Sequence, residues 1–375
     1  MQSVIGRVCA ASAAGVVVAF LGACSGEQTV GERGWAPRDY EVYAEVSEGI
    51  GNIAVSPEGD VYLSMHQFLG NDFKVGRLVR GQGPRDCHVE PYPTGHWQGD
   101  LRDDGVGLDS VLGIACDSRG VLWMLDNGRR SGVAPRLVAW DTKRDRLERI
   151  IPILEPVSKA SMLNDLAVDR RHGAVYIADM GGNGAEPAII VVDIESGRAR
   201  RLLEGRDCVR AEPGAVANID GRTLDALIGL NPIVLDTRSE WLYFGAMNGR
   251  TLYRVRTLDV LDESLTDASL YARVEPYGEK AISDGITMDS AGNAYISDLG
   301  ASGIGVTRPD GTYELLFSGD ELSWPDAMSF GRDGWVYVAC NALQNAAPLN
   351  RGVNASSPPY YVIRFRPIAS GVAGH

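Results

Sequence analysis

Short apolar segments separated by turn-forming residues recur along the whole chain. The clearest example spans residues 283–298, in which the apolar segments 286–288 and 294–296 flank the polar turn 289–293. Two short strand-forming segments around an Asp- and Gly-containing turn are typical of a β-hairpin. The pattern therefore predicts a hairpin at this place.

The same hairpin recurs six times, with an aromatic residue at the same place in each second strand. The copies cover residues 53–64, 114–125, 166–178, 233–245, 286–297 and 328–339. Further strand-like runs, such as 188–192 and 251–255, lie between the copies. Repetition of this kind predicts an all-β six-bladed β-propeller with four-stranded antiparallel blades. A β-sandwich whose hairpins are similar by chance is the alternative.

The two ends of the repeat region each supply one more strand. Residues 40–46 alternate polar and apolar side chains before the first hairpin, and residues 360–366 do so after the sixth. We expect the first segment to form the outermost strand of the last blade and the second segment its third strand. This arrangement closes the ring and leaves no open sheet edge. It predicts one propeller domain over residues 40–367 and a tail over residues 368–375.

The amino-terminal segment has the composition of an export signal. Residues 1–23 contain Arg7, an apolar run and no acidic residue, and Leu21-Gly22-Ala23 precedes Cys24. This spacing resembles a bacterial lipobox, which predicts lipidation of Cys24 and a tether over residues 24–39. The expected location is the cell envelope, on the periplasmic side of an outer membrane, or outside the cell. Cleavage elsewhere, with Cys24 unmodified, is the alternative.

The negative net charge of the chain makes nucleic acid an unexpected partner. The formal net charge is −13, and the basic residues form no cluster, so nucleic acid is not expected to bind. We expect a monomer that meets a membrane only through its amino-terminal lipid and that binds a small molecule.

Three long connections are expected over one end of the central channel. They cover roughly residues 81–111, 203–230 and 342–358. Cys87 and Cys208 fall in the first two, and a disulfide between them would fasten these loops together in an exported protein. Cys116 and Cys340 allow other pairings, and free thiols remain the alternative.

The hairpin alignment brings polar residues to that same end of the channel. The position just before each inner strand holds Gly51, Leu112, Asn164, Asn231, Asp284 and Asp326. The ends of the second strands return to this rim and add His66 and Asn341, together with Asp126, Asp179 and Asp298. The last three precede a glycine by two residues and are expected to cap their own turns. We therefore predict a ligand site formed by Asn164, Asn231, Asp284, Asp326 and Asn341.

Candidate catalytic residues come from the same set. The chain contains no serine nucleophile elbow, His-Glu-x-x-His, Cys-x-x-Cys, phosphate loop or EF-hand spacing. Asp284, Asp326 and His66 could supply the acid and base that a tautomerase needs. A hydrogen-bonded structural role is the alternative for His66.

Several stretches resemble the Yellow/major royal jelly protein family in its bacterial branch. They are residues 241–249 and 252–255, Ser283-Asp284-Gly285, residues 324–327 and residues 341–344. The resemblance covers most of residues 40–366 and implies a six-bladed propeller with a central pocket. Some members of the family are linked to dopachrome conversion, some bind aromatic amines, and others have no known reaction. Asp326 and Asn341 match pocket residues of the family's last blade.

A second resemblance is to the gluconolactonase/regucalcin group, which holds a divalent metal in the channel. Its metal-binding Asn and Asp match Asn231 and Asp284, and its substrate-binding Asn matches Asn164. Its metal-binding Glu falls on Gly51, and Glu48 would need a bulge to replace it. A divalent cation such as calcium is therefore an open expectation, with no cofactor certain.

Three functions follow from these expectations. The first is a binder or isomerase for a catechol- or amine-like molecule held in the acidic channel. The second is a metal-dependent lactonase. The third is a cell-surface interaction scaffold without catalytic activity.

Overall fold

The strands of the first three blades follow one another along the chain, after one strand that belongs to the last blade. The amino-terminal strand is β1 (Tyr40–Val46). Blade one consists of β2 (Ile50–Val55), β3 (Val61–Met65), β4 (Val75–Arg80) and β5 (Cys87–Pro91). Blade two consists of β6 (Val111–Cys116), β7 (Val121–Asp126), β8 (Arg136–Asp141) and β9 (Arg146–Pro152). Blade three consists of β10 (Leu163–Asp169), β11 (Ala174–Asp179), β12 (Ala188–Asp193) and β13 (Ala199–Leu202).

A small hairpin precedes the remaining blades. It is formed by β14 (Asn218–Ile219) and β15 (Arg222–Thr223). Blade four consists of β16 (Leu230–Leu235), β17 (Trp241–Ala246), β18 (Thr251–Arg256) and β19 (Glu275–Glu279). Blade five consists of β20 (Ile286–Met288), β21 (Ala294–Asp298), β22 (Gly303–Thr307) and β23 (Tyr313–Ser318). Blade six consists of β24 (Pro325–Phe330), β25 (Val336–Cys340), β26 (Tyr360–Phe365) and β1.

The innermost strands of these blades form a ring. The computed structural model describes residues 39–93, 95–155, 157, 160–182, 184–224 and 226–374. Within them, each of the six innermost strands contacts the innermost strand of the blade on either side. The predicted all-β six-bladed propeller with antiparallel blades is therefore confirmed.

Strand β1 closes the ring as the sequence predicts. It pairs antiparallel with β26, from Tyr40 opposite Phe365 to Val46 opposite Tyr360, and forms the outer edge of blade six. Alternation of side chains along β1 places Ala44 and Val46 in the core while Glu41 stays exposed.

The recurring aromatic residue has a structural purpose in four of the hairpins. In each of these, the second-strand aromatic donates a hydrogen bond to an aspartate in the turn before it. The pairs are Trp123 with Asp117 (3.0 Å), Tyr176 with Asp169 (3.2 Å), Tyr295 with Asp289 (2.9 Å) and Tyr337 with Asp333 (2.8 Å). The same aspartates accept backbone N–H groups of the turn, as Asp289 does from Ala291 and Asn293. The aromatic thus fills the space between blades and also fixes the turn.

Helices are short and lie outside the blades. Helices α1 (Thr257–Leu261) and α2 (Asp267–Tyr271) connect β18 to β19. The 3-10 helices are Gly95–Gln98, Asp320–Leu322, Leu343–Asn345 and Ala347–Leu349. In the described part of the chain, no helix has both the length and the apolar character needed to cross a membrane.

The first long connection is shorter than predicted, and the expected disulfide is not formed. Cys87 lies on β5, whose backbone pairs with β4, so the connection begins only after Pro91. The sequence signal is weak because β5 is an edge strand on which only Val89 is buried. Cys87 and Cys208 are both free, and they belong to different hydrophobic clusters. The thiol of Cys87 instead contacts the carbonyl oxygens of Glu45 and Pro84.

The carboxyl-terminal tail packs against the end of the channel opposite the polar rim. Ile368 and Ala369 donate backbone N–H groups to Tyr295 and Asp289 of blade five. Gly374 lines the channel and has a φ of +89°, and a Cβ there would lie 1.9 Å from the carbonyl oxygen of Cys116. Only glycine fits at this approach. The predicted signal segment, Cys24 and the tether up to residue 38 lie outside the described residues.

Candidate functional site

The polar rim is formed by irregular pairing at the start of the inner strands. In five blades, the pairing of the first two strands shifts register directly after the first bonded pair. The shifts lie between Ile50 and Ile53, Val111 and Ile114, Leu163 and Leu166, Leu230 and Ile233, and Pro325 and Met328. Such bulges are common beside functional sites because they redirect side chains. Here, two successive residues of an inner strand can both face the channel.

The first residues of the inner strands form the floor of a cavity of about 290 Å³ at one end of the channel. The polar part of its lining includes Asn52, His66, Arg129, Asn164, Asn231, Asp284 and Asp326. The apolar part includes Phe68, Leu112, Met162, Met180, Leu227, Met247, Trp324, Leu343 and Leu349. We call this cavity the inner pocket. Few polar groups on a mainly apolar wall are typical of a small-molecule site.

A chain of side-chain hydrogen bonds connects blades three to six across the floor. The Nδ2 of Asn164 donates to Oδ1 of Asn231, and the Nδ2 of Asn231 donates to Oδ1 of Asp284. Trp324 Nε1 donates to the other oxygen, Oδ2 of Asp284, at 2.6 Å. Asp284 is only 7% exposed, so these bonds stabilise a carboxylate that has little contact with water.

Two more carboxyl groups flank Asp284. Asn341 Nδ2 donates to Oδ2 of Asp326 at 2.7 Å, and Asn52 Nδ2 donates to Oδ1 of Asp165 at 3.1 Å. Both Asp165 and Asp326 keep some accessible surface. Asn52 lines both the pocket and the narrower channel below it, whereas Asp165 lines only that channel. The pocket floor therefore offers carboxyl oxygens from blades five and six, and the channel below it offers those of blade three.

Burial and mutual repulsion make these carboxyl groups weaker acids than usual. Burial raises the pKa of Asp284 to about 6, although the hydrogen bonds from Trp324 and Asn231 act in the opposite direction. Burial raises the pKa of Asp165 to about 7, and the charge of Asp284 adds to this effect. The pKa of Asp326 is raised well above its ordinary value by burial and then by Asp284. Burial and mutual repulsion therefore shift all three carboxyl groups toward their protonated forms.

His66 lies in the pocket wall, as predicted, but it is not available as a base. Its Nδ1 accepts the backbone N–H of Phe68 at 3.1 Å, which places the ring proton of a neutral imidazole on Nε2. Burial and then the charge of Arg130 lower the pKa of His66 to about 3. The ring is therefore neutral at physiological pH and can only donate a hydrogen bond to a ligand.

All the predicted ligand residues except Asn341 line the inner pocket, and Asn341 contacts it through Asp326. The three second-strand aspartates do not line it. Asp126 accepts the backbone N–H of Ser110 and the guanidinium of Arg136, and Asp179 binds Arg201. Asp298 accepts Ala301 N–H and Tyr313 O–H. Asp179 and Asp298 therefore cap their own turns, as predicted, through the N–H groups of Gly181 and Ala301. The prediction is wrong for Asp126, whose partners lie before the inner strand and on β8 and not in its own turn.

Sequence reasoning missed Asn52, Asp165 and Trp324 as site residues. Asn52 and Asp165 directly follow the aligned positions Gly51 and Asn164, so only the bulge brings them into the channel. Trp324 directly precedes the sixth inner strand, and its indole contacts Asp284 of the neighbouring blade. The one signal in the sequence is the pair of successive polar residues, Asn164 and Asp165, at the start of the third inner strand.

The site does not fit the metal centre of the lactonase resemblance. Gly51 provides no carboxylate, and Glu48 is absent from the described pocket lining. The Asn231 amide is hydrogen-bonded at both ends, its oxygen to Asn164 and its nitrogen to Asp284. Among the described residues, no group of three or more His, Cys, Asp or Glu side chains is placed to hold a metal ion. No catalytic step is therefore assigned to a metal here.

The fold and the pocket together define a six-bladed propeller with an acidic pocket at one end of its channel. Residues 109–356 match the family model described as major royal jelly protein, and the chain belongs to that family. It is 24% identical to major royal jelly protein 1 of Apis mellifera over 212 residues, which cover 52% of this chain and 48% of that protein. It is 26% identical to major royal jelly protein 9 of the same organism over 180 residues, covering 45% and 41%. The chain thus spans less than half the length of these curated relatives.

Solved structures share the fold across most of the chain. A luciferin-regenerating enzyme matches with a TM-score of 0.53 at 13% identity, covering 88% of this chain and 95% of that one. A streptogramin B lyase matches with a TM-score of 0.50 at 14% identity, covering 87% and 96%. At such identities these matches establish the propeller architecture alone.

Proposed function

We propose that the inner pocket binds a small organic cation, an amine joined to an aromatic ring. The observation that carries this proposal is the pair of carboxyl groups, Asp284 and Asp326, at the floor of a small cavity with apolar walls, with Asp165 lining the channel directly below. An ammonium group placed among them relieves the repulsion that burial imposes on the carboxylates.

The hydrogen bonds on the floor leave room for such a cation. In the described structure, Asp326 accepts only the bond from Asn341, at Oδ2. The two oxygens of Asp284 each accept one bond, and a carboxylate oxygen can accept two. Among the described lining residues, Arg129 is the only Lys or Arg, and its guanidinium donates to the carbonyl oxygen of Ser161. The two carboxyl groups of Asp284 and Asp326 therefore outnumber the single guanidinium along the described lining.

The walls suit a flat apolar group. Trp324 and Phe68 provide aromatic surfaces, and Met162 and Met180 provide side chains that adapt to an irregular shape. Leu227 is 65% exposed at the edge of the pocket, so a bound ring would remove apolar surface from water. The volume of about 290 Å³ is at the lower end for small-molecule sites and favours a single-ring ligand.

The same carboxyl groups could also transfer protons on a bound catechol-type ligand. Asp284 has a pKa of about 6, and burial together with the charge of Asp284 raises the pKa of Asp326 well above its ordinary value. A tautomerisation needs a base that removes one proton and an acid that supplies another. We assign these roles to Asp284 and Asp326, respectively.

A matched pair of ligands tests the binding proposal. Calorimetric titration at pH 7.5 compares tyramine with 4-ethylphenol, which has the same ring and lacks the ammonium group. We expect tyramine to bind at least thirtyfold more tightly, about 2 kcal/mol, because only tyramine supplies a positive charge. Equal affinity for the two compounds, or binding of neither, would contradict the proposal.

A further inference from the structure

His66 directly follows strand β3 of blade one, and its imidazole ring is held in one orientation. The backbone N–H of His66 donates to the carbonyl oxygen of Gly49 at 2.9 Å, and its own carbonyl oxygen accepts the N–H of Leu69 at 3.0 Å. The ring Nδ1 accepts the N–H of Phe68 at 3.1 Å. The ring of Phe68 meets the imidazole edge to face, with 4.8 Å between the ring centroids. The neutral imidazole therefore carries its proton on Nε2 in a fixed direction.

The Nε2–H group of this ring has no acceptor in the described part of the chain, where the ring's one hydrogen bond is the one at Nδ1. His66 is only 6% exposed, yet Nε2 is not among the fully buried polar atoms that lack a partner, so it keeps accessible surface. The inner pocket is the cavity that His66 lines. A donor that is largely removed from water and has no partner is costly, and an acceptor atom of a ligand would satisfy it.

The position of His66 suits the ring end of a bound amine. Three other donors on the pocket lining already serve the carboxyl groups, namely Asn52, Asn231 and Trp324. Blade one adjoins blade six, because their inner strands are in contact. A ligand whose ammonium group lies at the floor can therefore direct its ring toward the wall that Phe68 and His66 form. Packing of that ring on Phe68 would bring a ring substituent to Nε2 of His66.

We propose that His66 determines the specificity of the inner pocket, by donating its Nε2–H to a neutral oxygen atom on the ring of the bound amine. This inference rests on the proposed function and narrows its ligand class from aryl amines to amines with an oxygen-bearing ring, such as a phenol. The donor has one fixed direction and no competing partner, so the hydrogen bond needs no rearrangement of the protein. An amine with an unsubstituted ring would leave the Nε2–H without an acceptor.

Calorimetric titrations at pH 7.5 with three amines test the proposal. The amines are 2-phenylethylamine, tyramine and 3-(2-aminoethyl)phenol, which differ only in the presence and position of a ring hydroxyl. We expect at least one phenol to bind wild-type protein about fivefold or more tightly than 2-phenylethylamine. His66→Asn keeps an acceptor for the Phe68 N–H but withdraws the donor from the pocket, so it should remove this hydroxyl preference and leave the affinity for 2-phenylethylamine unchanged. His66→Gln, whose amide nitrogen reaches the place of Nε2, should keep most of the preference.

A matched control and a measurement on wild-type protein accompany these titrations. His88→Asn, at an exposed histidine on β5, should leave the hydroxyl preference unchanged. NMR of the ¹⁵N-labelled wild-type imidazole follows the Nε2–H proton without any substitution in the pocket. We expect this proton to move downfield when the preferred phenol binds and to stay in place when 2-phenylethylamine binds, because only the phenol supplies an acceptor oxygen.

The outcomes separate this inference from the proposed function. Phenols that bind no more tightly than 2-phenylethylamine would overturn the inference about His66 and leave the proposed function intact. A hydroxyl preference that survives His66→Asn, or an Nε2–H proton that does not move when the preferred phenol binds, would also overturn it. Failure of every amine to bind would overturn the proposed function and this inference together.

Discussion

Trp324 of the sixth blade donates its indole N–H to Oδ2 of Asp284, near the start of the fifth, at 2.6 Å. Trp324 has a φ of +50°, which is unusual for a bulky side chain, and it is 1% exposed. Backbone in this region costs about 1–3 kcal/mol and is often found at functional sites. The contact joins two blades at the floor of the pocket and keeps a buried carboxylate oriented toward the cavity.

Replacing Trp324 by Phe should make Asp284 a weaker acid still, because the indole hydrogen bond holds its pKa down. A hydrogen bond to a charged group contributes about 1.5–3 kcal/mol, so we expect the pKa to rise by about one to two units. Amine binding should then weaken at pH 6–7 and recover at higher pH. Calorimetric titration over this range measures the shift. Trp335→Phe, in the turn between β24 and β25, is the control and should show the wild-type pH profile.

Asp284 should make the protein less stable as the pH rises. Its pKa is about 6 in the folded protein and 3.8 ordinarily, so the folded state binds more protons than the unfolded state between these values. The stability that this group contributes is therefore complete below pH 4 and is lost as the pH rises through 6. The unfolding free energy at pH 7.5 minus that at pH 4 is the quantity to compare. It should be larger in Asp284→Asn than in the wild type by on the order of 2–3 kcal/mol. Urea titration at the two pH values measures the difference.

Asp193 offers a control of opposite sign for that experiment. Hydrogen bonds from Ser196 lower the pKa of this exposed carboxyl group. This carboxylate stabilises the folded state at neutral pH, and the stabilisation is lost on acidification. Asp193→Asn should therefore reduce the loss of unfolding free energy that acidification causes. Parallel behaviour of the two variants would contradict the assignment of a raised pKa to Asp284.

Most of the fold follows from the sequence, because one hairpin with a fixed aromatic position repeats six times. Tyr295 and Tyr337 show why the aromatic is needed, since each fixes the aspartate of its own turn. The edge strand that contains Cys87 was harder to predict, because a strand with one buried side chain has little hydrophobic signal.

The candidate site was predictable only in part. Asp284 and Asp326 hold the position just before a predicted inner strand, so the alignment of the six hairpins predicts them. Asp165 lies one residue further on, and the register shift after Leu163 lets it face the channel. Such a shift depends on pairing geometry that no single hairpin motif encodes. Likewise, the contact from Trp324 depends on how two blades pack, which local sequence does not specify.

Binding of an ammonium ligand should release protons near pH 6. The cation favours the ionised carboxylates, whose pKa values are raised to about 6 for Asp284 and about 7 for Asp165. We expect release of about half to one proton per ligand and an affinity that increases from pH 5 to pH 7.5. Titration in buffers with different ionisation enthalpies measures the released protons. Heats that do not depend on the buffer, together with a flat pH profile, would count against the carboxylate floor.

His66 should remain neutral throughout the physiological range. Burial and the charge of Arg130 lower its pKa to about 3, and its Nδ1 is occupied by the Phe68 N–H. NMR of the imidazole resonances, assigned with a His66→Gln variant, should show no titration between pH 5 and pH 8. A midpoint near 6.5 would mean that the ring is hydrated and free to act as a base.

The central claim is that the carboxylate of Asp284 binds the positive charge of a ligand in the inner pocket. Calorimetric titration of tyramine into wild-type protein and Asp284→Asn at pH 7.5 tests it most directly, because the substitution removes the charge and keeps the shape. We predict a loss of about 2–4 kcal/mol, which is a dissociation constant about 30- to 1,000-fold larger in the variant, with the fold retained by circular dichroism. Equal affinity in the two proteins would show that Asp284 is a structural residue and that the amine binds elsewhere.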